Sequence, residues 1–178
     1  TDNQASSFDT AQRLCRQMAD LELLMLAGPA RSGYPGFTAW QTALIDRGIA
    51  PARIHPLPPA DTPFLHTRIE AQALVRHLQG APCRRVGITA APFHQVRAFM
   101  TAISVAMEAD LPVQLYSCPG SPQHLWESAR HSQNQPNDQR HDLIATELDR
   151  IAAYQRKGDL ALTGDILNYL QERDANGR

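Results

Sequence analysis

Short runs that are apolar on both faces alternate with helix-period stripes through residues 9–120, and no other feature constrains the fold as strongly. A strand without a polar face must be covered on both sides. That calls for a mainly parallel sheet between two helical layers, joined by right-handed crossovers. The expected class is therefore α/β with three αβα layers. Phe8, Ala11, Leu14, Cys15 and Met18 predict a helix over 9–19 with Asp9 as its cap. Residues 21–27 read as a buried strand, closed by Gly28-Pro29 and a loop holding Ser32, Gly33, Pro35 and Gly36. Trp40, Ala43 and Leu44 predict a helix over 38–47 stopped by Gly48. Residues 53–57 read as a short strand at an edge or as an extended connection, because prolines 56, 58, 59 and 63 remove backbone donors.

Leu65, Ile69, Ala73, Leu74 and Leu78 place a helix over 65–79, ended by Gly80-Ala81-Pro82. A strand over 86–89, a helix from 92 to about 107 and a strand over 112–116 follow. Beyond Gly120 the chain turns polar, and Leu143, Glu147, Leu148, Ile151 and Tyr154 then mark a long helix, with another over 160–170. This gives one domain, with a core over about 9–120 and a helical extension without strands over about 121–174. Pro136-Asn137-Asp138 is its most flexible point.

At 178 residues and 43% apolar, the chain can bury one core of its own. Its 17 basic and 18 acidic residues nearly cancel, and no basic block interleaves with aromatics, which excludes a nucleic-acid footprint. The longest apolar run, 21–27, is broken by Glu22 and falls far below the ~20 residues of a membrane span. Residues 1–9 lack the charged and apolar regions of a secretory signal. Cys15, Cys83 and Cys118 form no CxxC pair, which argues against a disulfide framework or structural zinc and for a reducing, cytoplasmic setting. Cys118 reads as a buried apolar residue first and a nucleophile second.

Ligands of parallel sheets sit beyond the carboxyl ends of the strands. Residues 28–36, 58–70, 89–97 and 117–124 arrive there. The first loop has neither GxGxxG nor GxxxxGK[ST] spacing, which disfavours nicotinamide and P-loop chemistry. Thr67 and Glu70 have capping-box spacing, or else they stand at the mouth of the cleft with Glu70 as a hydrogen-bond acceptor. His94 and Arg97, spaced i and i+3 after the strand at 86–89, share one face of a helix start, where anions are favoured. Their competing reading is packing and ion pairing inside the fold. The other histidines, His55, His66, His77, His124, His131 and His141, show no HxxxH or HExxH spacing, so no metal site is expected. No serine has a GxSxG setting.

The order of the pieces resembles the YdcF/SanA/ElyC family of bacterial proteins. The resemblance is carried by Leu24-Met25-Leu26-Ala27-Gly28, Arg47-Gly48-Ile49, Thr67-x-x-Glu70-Ala71 and, above all, Ile88-Thr89-Ala90-Ala91-Pro92-Phe93-His94-x-x-Arg97-Ala98. Ala90 stands where many members have serine. The resemblance implies a Rossmann-like fold and nominates Gly28, Thr67, Glu70, Thr89, His94 and Arg97 as cleft-lining residues. Among these, His94 and Glu70 are the catalytic candidates, while Gly28, Thr67, Thr89 and Arg97 are the ligand-binding candidates. It also brings in S-adenosylmethionine, which one branch of the family is associated with, as a candidate ligand.

The leading expectation is a small-molecule-binding protein or enzyme that holds an anionic or nucleotide-like ligand at the strand ends. Arg97 would clamp a carboxylate or phosphate, His94 would shuttle a proton, and Glu70 would accept from a hydroxyl or amine. Two readings compete with it. One is a non-catalytic interaction or regulatory domain whose helical tail mediates self-association or partner docking. The other is a hydrolase of phosphorylated or acyl substrates acting through His94 or Cys118.

Overall fold

The structure, a computed structural model, describes residues 2–30, 34–58, 66–129 and 138–176. Ser32, Gly33, Pro59, Pro63, Leu65, His131 and residues 136–137 of the expected flexible point lie outside the described residues. The class is mixed α/β. Helix α1 (Asp2–Gln17) is followed by β1 (Leu23–Leu26), α2 (Phe37–Ile45), a 3-10 turn (Pro51–Arg53) and β2 (Ile54–Leu57). Then come α3 (Thr67–Gln79), β3 (Arg85–Ile88), α4 (Gln95–Glu108) and β4 (Gln114–Ser117). The chain continues through β5 (Ser128–Ala129), β6 (Asp138–Gln139), α5 (Arg140–Lys157) and α6 (Thr163–Asn176).

β1 pairs with β2 in parallel, from Leu23 opposite Ile54 to Leu26 opposite Leu57. β3 pairs with β4 in parallel, from Arg85 opposite Gln114 to Ile88 opposite Ser117. Among the described residues the ladders stay two-stranded. β1 nevertheless divides its side chains between two apolar clusters, as a strand covered on both faces must. Leu24 and Leu26 lie with Leu74, Leu78, Ile103, Leu115 and Ile151. Leu23 and Met25 pack against Phe8, Cys15, Leu44 and Ile54. Helices α1 and α2 therefore cover one face, while α3, α4 and α5 cover the other.

Three expectations change. α1 begins well before Asp9, which lies inside the helix rather than capping it. The hydroxyls of Ser6 and Thr10 donate outward, to the carbonyls of Ser121 at 2.7 Å and Pro119 at 2.9 Å, and so fix the early turns against the loop after β4. Second, the C-terminal region has strands of its own: β5 pairs antiparallel with β6 over two residues, too short a ladder to leave a periodic signal. α4 also starts later than expected, because residues 92–94 form a turn. Gly48, at φ 84°, stops α2 as its position predicts.

α6 closes the outer edge of β4. The Tyr169 hydroxyl donates to the Val113 carbonyl at 2.6 Å and accepts from the Leu115 N–H at 2.9 Å. Arg173 Nη1 donates to the Leu115 carbonyl at 2.7 Å. These side chains stand where another strand would otherwise pair. Among the described residues, no helix is long and apolar enough to cross a membrane.

Candidate functional site

The carboxyl ends of β3 and β4 are tied together by one buried side chain, Gln95, the first residue of α4. Its Oε1 accepts from the Ala90 N–H at 2.7 Å, and its Nε2 donates to the Ile88 carbonyl at 2.8 Å and the Ser117 hydroxyl at 3.0 Å. The turn before α4 is thereby set, with His94 at the helix N-cap and Arg97 one turn on. The same rotation that points Gln95 into the strand ends carries His94 and Arg97 toward α3 and α5.

Glu147 of α5 meets them there, its carboxylate only 4% exposed. Oε2 lies 2.7 Å from His94 Nδ1 and 2.6 Å from Arg97 Nε. Oε1 accepts from Arg97 Nη2 at 3.2 Å and Arg150 Nη1 at 2.8 Å. A contact of 2.7 Å to a carboxylate oxygen places a proton on Nδ1, and in the neutral imidazole that puts the lone pair on Nε2. Arg97 Nη2, 3.2 Å from Nδ1, then lies beside that nitrogen without bonding to it. Nε2 faces the Thr67 hydroxyl at 3.3 Å, and Arg97 Nη1 donates to the same hydroxyl oxygen at 3.3 Å. The face of the Tyr154 ring, 5.8 Å from the Arg97 guanidinium carbon, adds a cation–π contact.

Thr67 and Glu70 do not form a capping box. His66 is the N-cap of α3 and no side chain caps the helix, because the Thr67 hydroxyl is held by His94 and Arg97 instead. Glu70 lies one helical turn from Thr67, exposed at the surface, and its carboxylate has no hydrogen-bond partner among the described residues. The surrounding protein is nonetheless dense enough that burial pushes its carboxyl above the usual range, with the Arg97 guanidinium pulling back. Tyr34 stands near Glu70, donating to the Leu26 carbonyl at the end of β1, with its ring edge-on to Trp40 at 4.7 Å. Burial and the Glu70 charge push the Tyr34 phenol up to about 12.

Of the residues expected at the cleft, Thr67, His94 and Arg97 are in mutual contact, and Glu70 lies within the electrostatic reach of Arg97. Gly28, at φ 126°, closes its loop by accepting from the Phe37 N–H at 3.1 Å. Thr89 is exposed. Arg97 is 8% exposed, with every guanidinium nitrogen engaged by Glu147 or Thr67, so its guanidinium is a fixed part of the wall. Burial raises the Cys118 thiol above its ordinary value, the opposite of an activated thiolate.

Glu147, Arg150, Gln95 and Tyr34 are the contributors that sequence spacing did not single out. Glu147 did leave a signal, since it shares a stripe with Leu143 and Ile151, the one carboxylate on the buried face of α5. Among the described residues, no three His, Cys, Asp or Glu side chains converge as a metal site. None of the family models, curated proteins or solved structures compared with the chain matches it.

Proposed function

We propose that this chain is a Rossmann-like small-molecule-binding enzyme of the YdcF type. Its recess at the strand ends takes a nucleotide-like ligand, and His94 moves a proton there. The observation that carries this reading is the Glu70 carboxylate, exposed and without a protein donor among the described residues, one helical turn from the Thr67 hydroxyl that His94 contacts. A carboxylate so placed can accept a hydrogen bond from a ligand hydroxyl or amine. The three-layer arrangement is supported by the two-sided packing of β1.

Calorimetric titration of the full chain with S-adenosylmethionine, adenosine and nucleoside phosphates tests the reading. Saturable binding of one of these, weakened tenfold or more in Glu70→Gln with the circular dichroism unchanged, is the expected result. No binding of any of them, or equal binding by the variant, overturns it.

A further inference from the structure

The chain Glu147, His94, Thr67 has an order that the ligand-binding role does not require. A buried carboxylate holds Nδ1 of an imidazole at 2.7 Å, and the other ring nitrogen faces a hydroxyl at 3.3 Å. Arg97 donates to that hydroxyl oxygen at 3.3 Å, which leaves the hydroxyl proton free to be given to Nε2 when the imidazole is neutral with its proton on Nδ1. A guanidinium on the oxygen also stabilises the negative charge that grows there when the proton leaves. Thr67 is the first residue of α3, and its N–H and that of Arg68 have no acceptor among the described residues. First-turn N–H groups beside an attacking oxygen are suited to receive a carbonyl oxygen as it gains charge. Both Thr67 and His94 are partly exposed, His94 at 23%, so a substrate can reach them.

We propose that Thr67 is the nucleophile of an acyl-transfer site, with His94 as its base and Glu147 as the positioning residue that fixes the base. The substrate class is an activated acyl group, an ester or thioester. Thr67 Oγ forms a bond to the acyl carbon as its proton passes to His94 Nε2. The bond to the leaving group breaks, and that group takes the proton from His94. Water then adds to the ester on Thr67, giving one proton to Nε2, which returns it to Oγ as the carboxylic acid departs. The sum is hydrolysis of the acyl bond by one water, with no other reactant. The proposal rests on the proton-carrying role given to His94 above and is independent of the ligand class named there.

The test is incubation of the full chain with p-nitrophenyl acetate, following nitrophenolate release and mapping the acetyl group by mass spectrometry. Expected is one acetyl group per chain on Thr67, retained in Thr67→Ser and lost in the near-isosteric Thr67→Val. His94→Ala should release nitrophenolate about 10²- to 10⁴-fold more slowly. Glu147→Gln should displace the pH profile of acylation, which a purely structural carboxylate would not do. Labelling elsewhere, equal labelling of Thr67→Val, or cleavage of p-nitrophenyl phosphate without cleavage of the ester overturns the proposal. Labelled Thr67 in a protein that binds no nucleoside supports it and removes only the ligand class. Nucleoside binding without labelling overturns it and leaves that class standing.

Discussion

Glu147 Oε2 lies 2.7 Å from His94 Nδ1, so a residue of the C-terminal helical extension holds the imidazole at the N-cap of α4. The extension is thus part of the site's wall and not an appendage to it. Removing the carboxylate leaves Arg97 as a buried cation without its counter-charge. Glu147→Ala should therefore cost on the order of 3–5 kcal/mol in urea unfolding. Glu147→Gln keeps the shape, loses the charge and should cost less, while a His94 imidazole NMR titration moves in both variants.

Gln95 is the second residue on which the site's geometry depends. Gln95→Ala leaves the partly buried Ala90 N–H without its partner and should cost about 1 kcal/mol. Gln95→Glu should be worse despite its size, because the second carboxylate oxygen, an acceptor, would face the Ile88 carbonyl where an N–H now donates. Urea midpoints of the two variants, compared at neutral pH, give the order directly.

Glu70 gives stability a pH dependence of definite sign. Its folded-state carboxyl is raised above the ordinary 4.5, chiefly by burial, so the fold favours the protonated form. The stability it contributes is complete below 4.5 and is lost as pH rises through the raised value. Glu70→Gln should therefore be more stable than the parent at pH 7 to 8 and no more stable near pH 4. Screening at an exposed position keeps the gain under about 1 kcal/mol, or roughly 2–4 °C in Tm at most. Thermal melts across that pH range check it.

The local pairings in this cluster were legible in the sequence. Thr67-x-x-Glu70 and His94-x-x-Arg97 each share a helix face by spacing alone, and both follow segments that end at the strand edge. Spacing does not say what that face meets. Glu147 is 53 residues from His94, and only the folded chain decides that Arg97 pairs with it rather than with a ligand. The capping box failed for a related reason: the Thr67 hydroxyl found two tertiary partners that a helix start read in isolation does not have. Among the elements, helices with a continuous apolar stripe were readable, whereas α1's early turns depend on hydroxyl bonds to the loop after β4.

Tyr169 tests whether α6 guards the edge of β4 or merely rests on it. Its hydroxyl serves two backbone groups at once, the Val113 carbonyl and the Leu115 N–H, and burial raises its phenol above the ordinary range, with the Leu115 N–H lowering it. Phe at this position keeps the ring among its apolar neighbours and removes only those two bonds. Tyr169→Phe should then lose about 2 kcal/mol, roughly 4–8 °C in Tm. Hydrogen exchange should quicken at the Leu115 amide while the amides that β4 shares with β3 stay protected. Arg173→Ala, which strips the Leu115 carbonyl of its partner at the same edge, should add to the loss by less than its separate effect, because both side chains serve one backbone residue. Unchanged Leu115 exchange in Tyr169→Phe would mean that α6 is held by its apolar face alone, through Ile166 and Leu170, and that β4 is open to another strand.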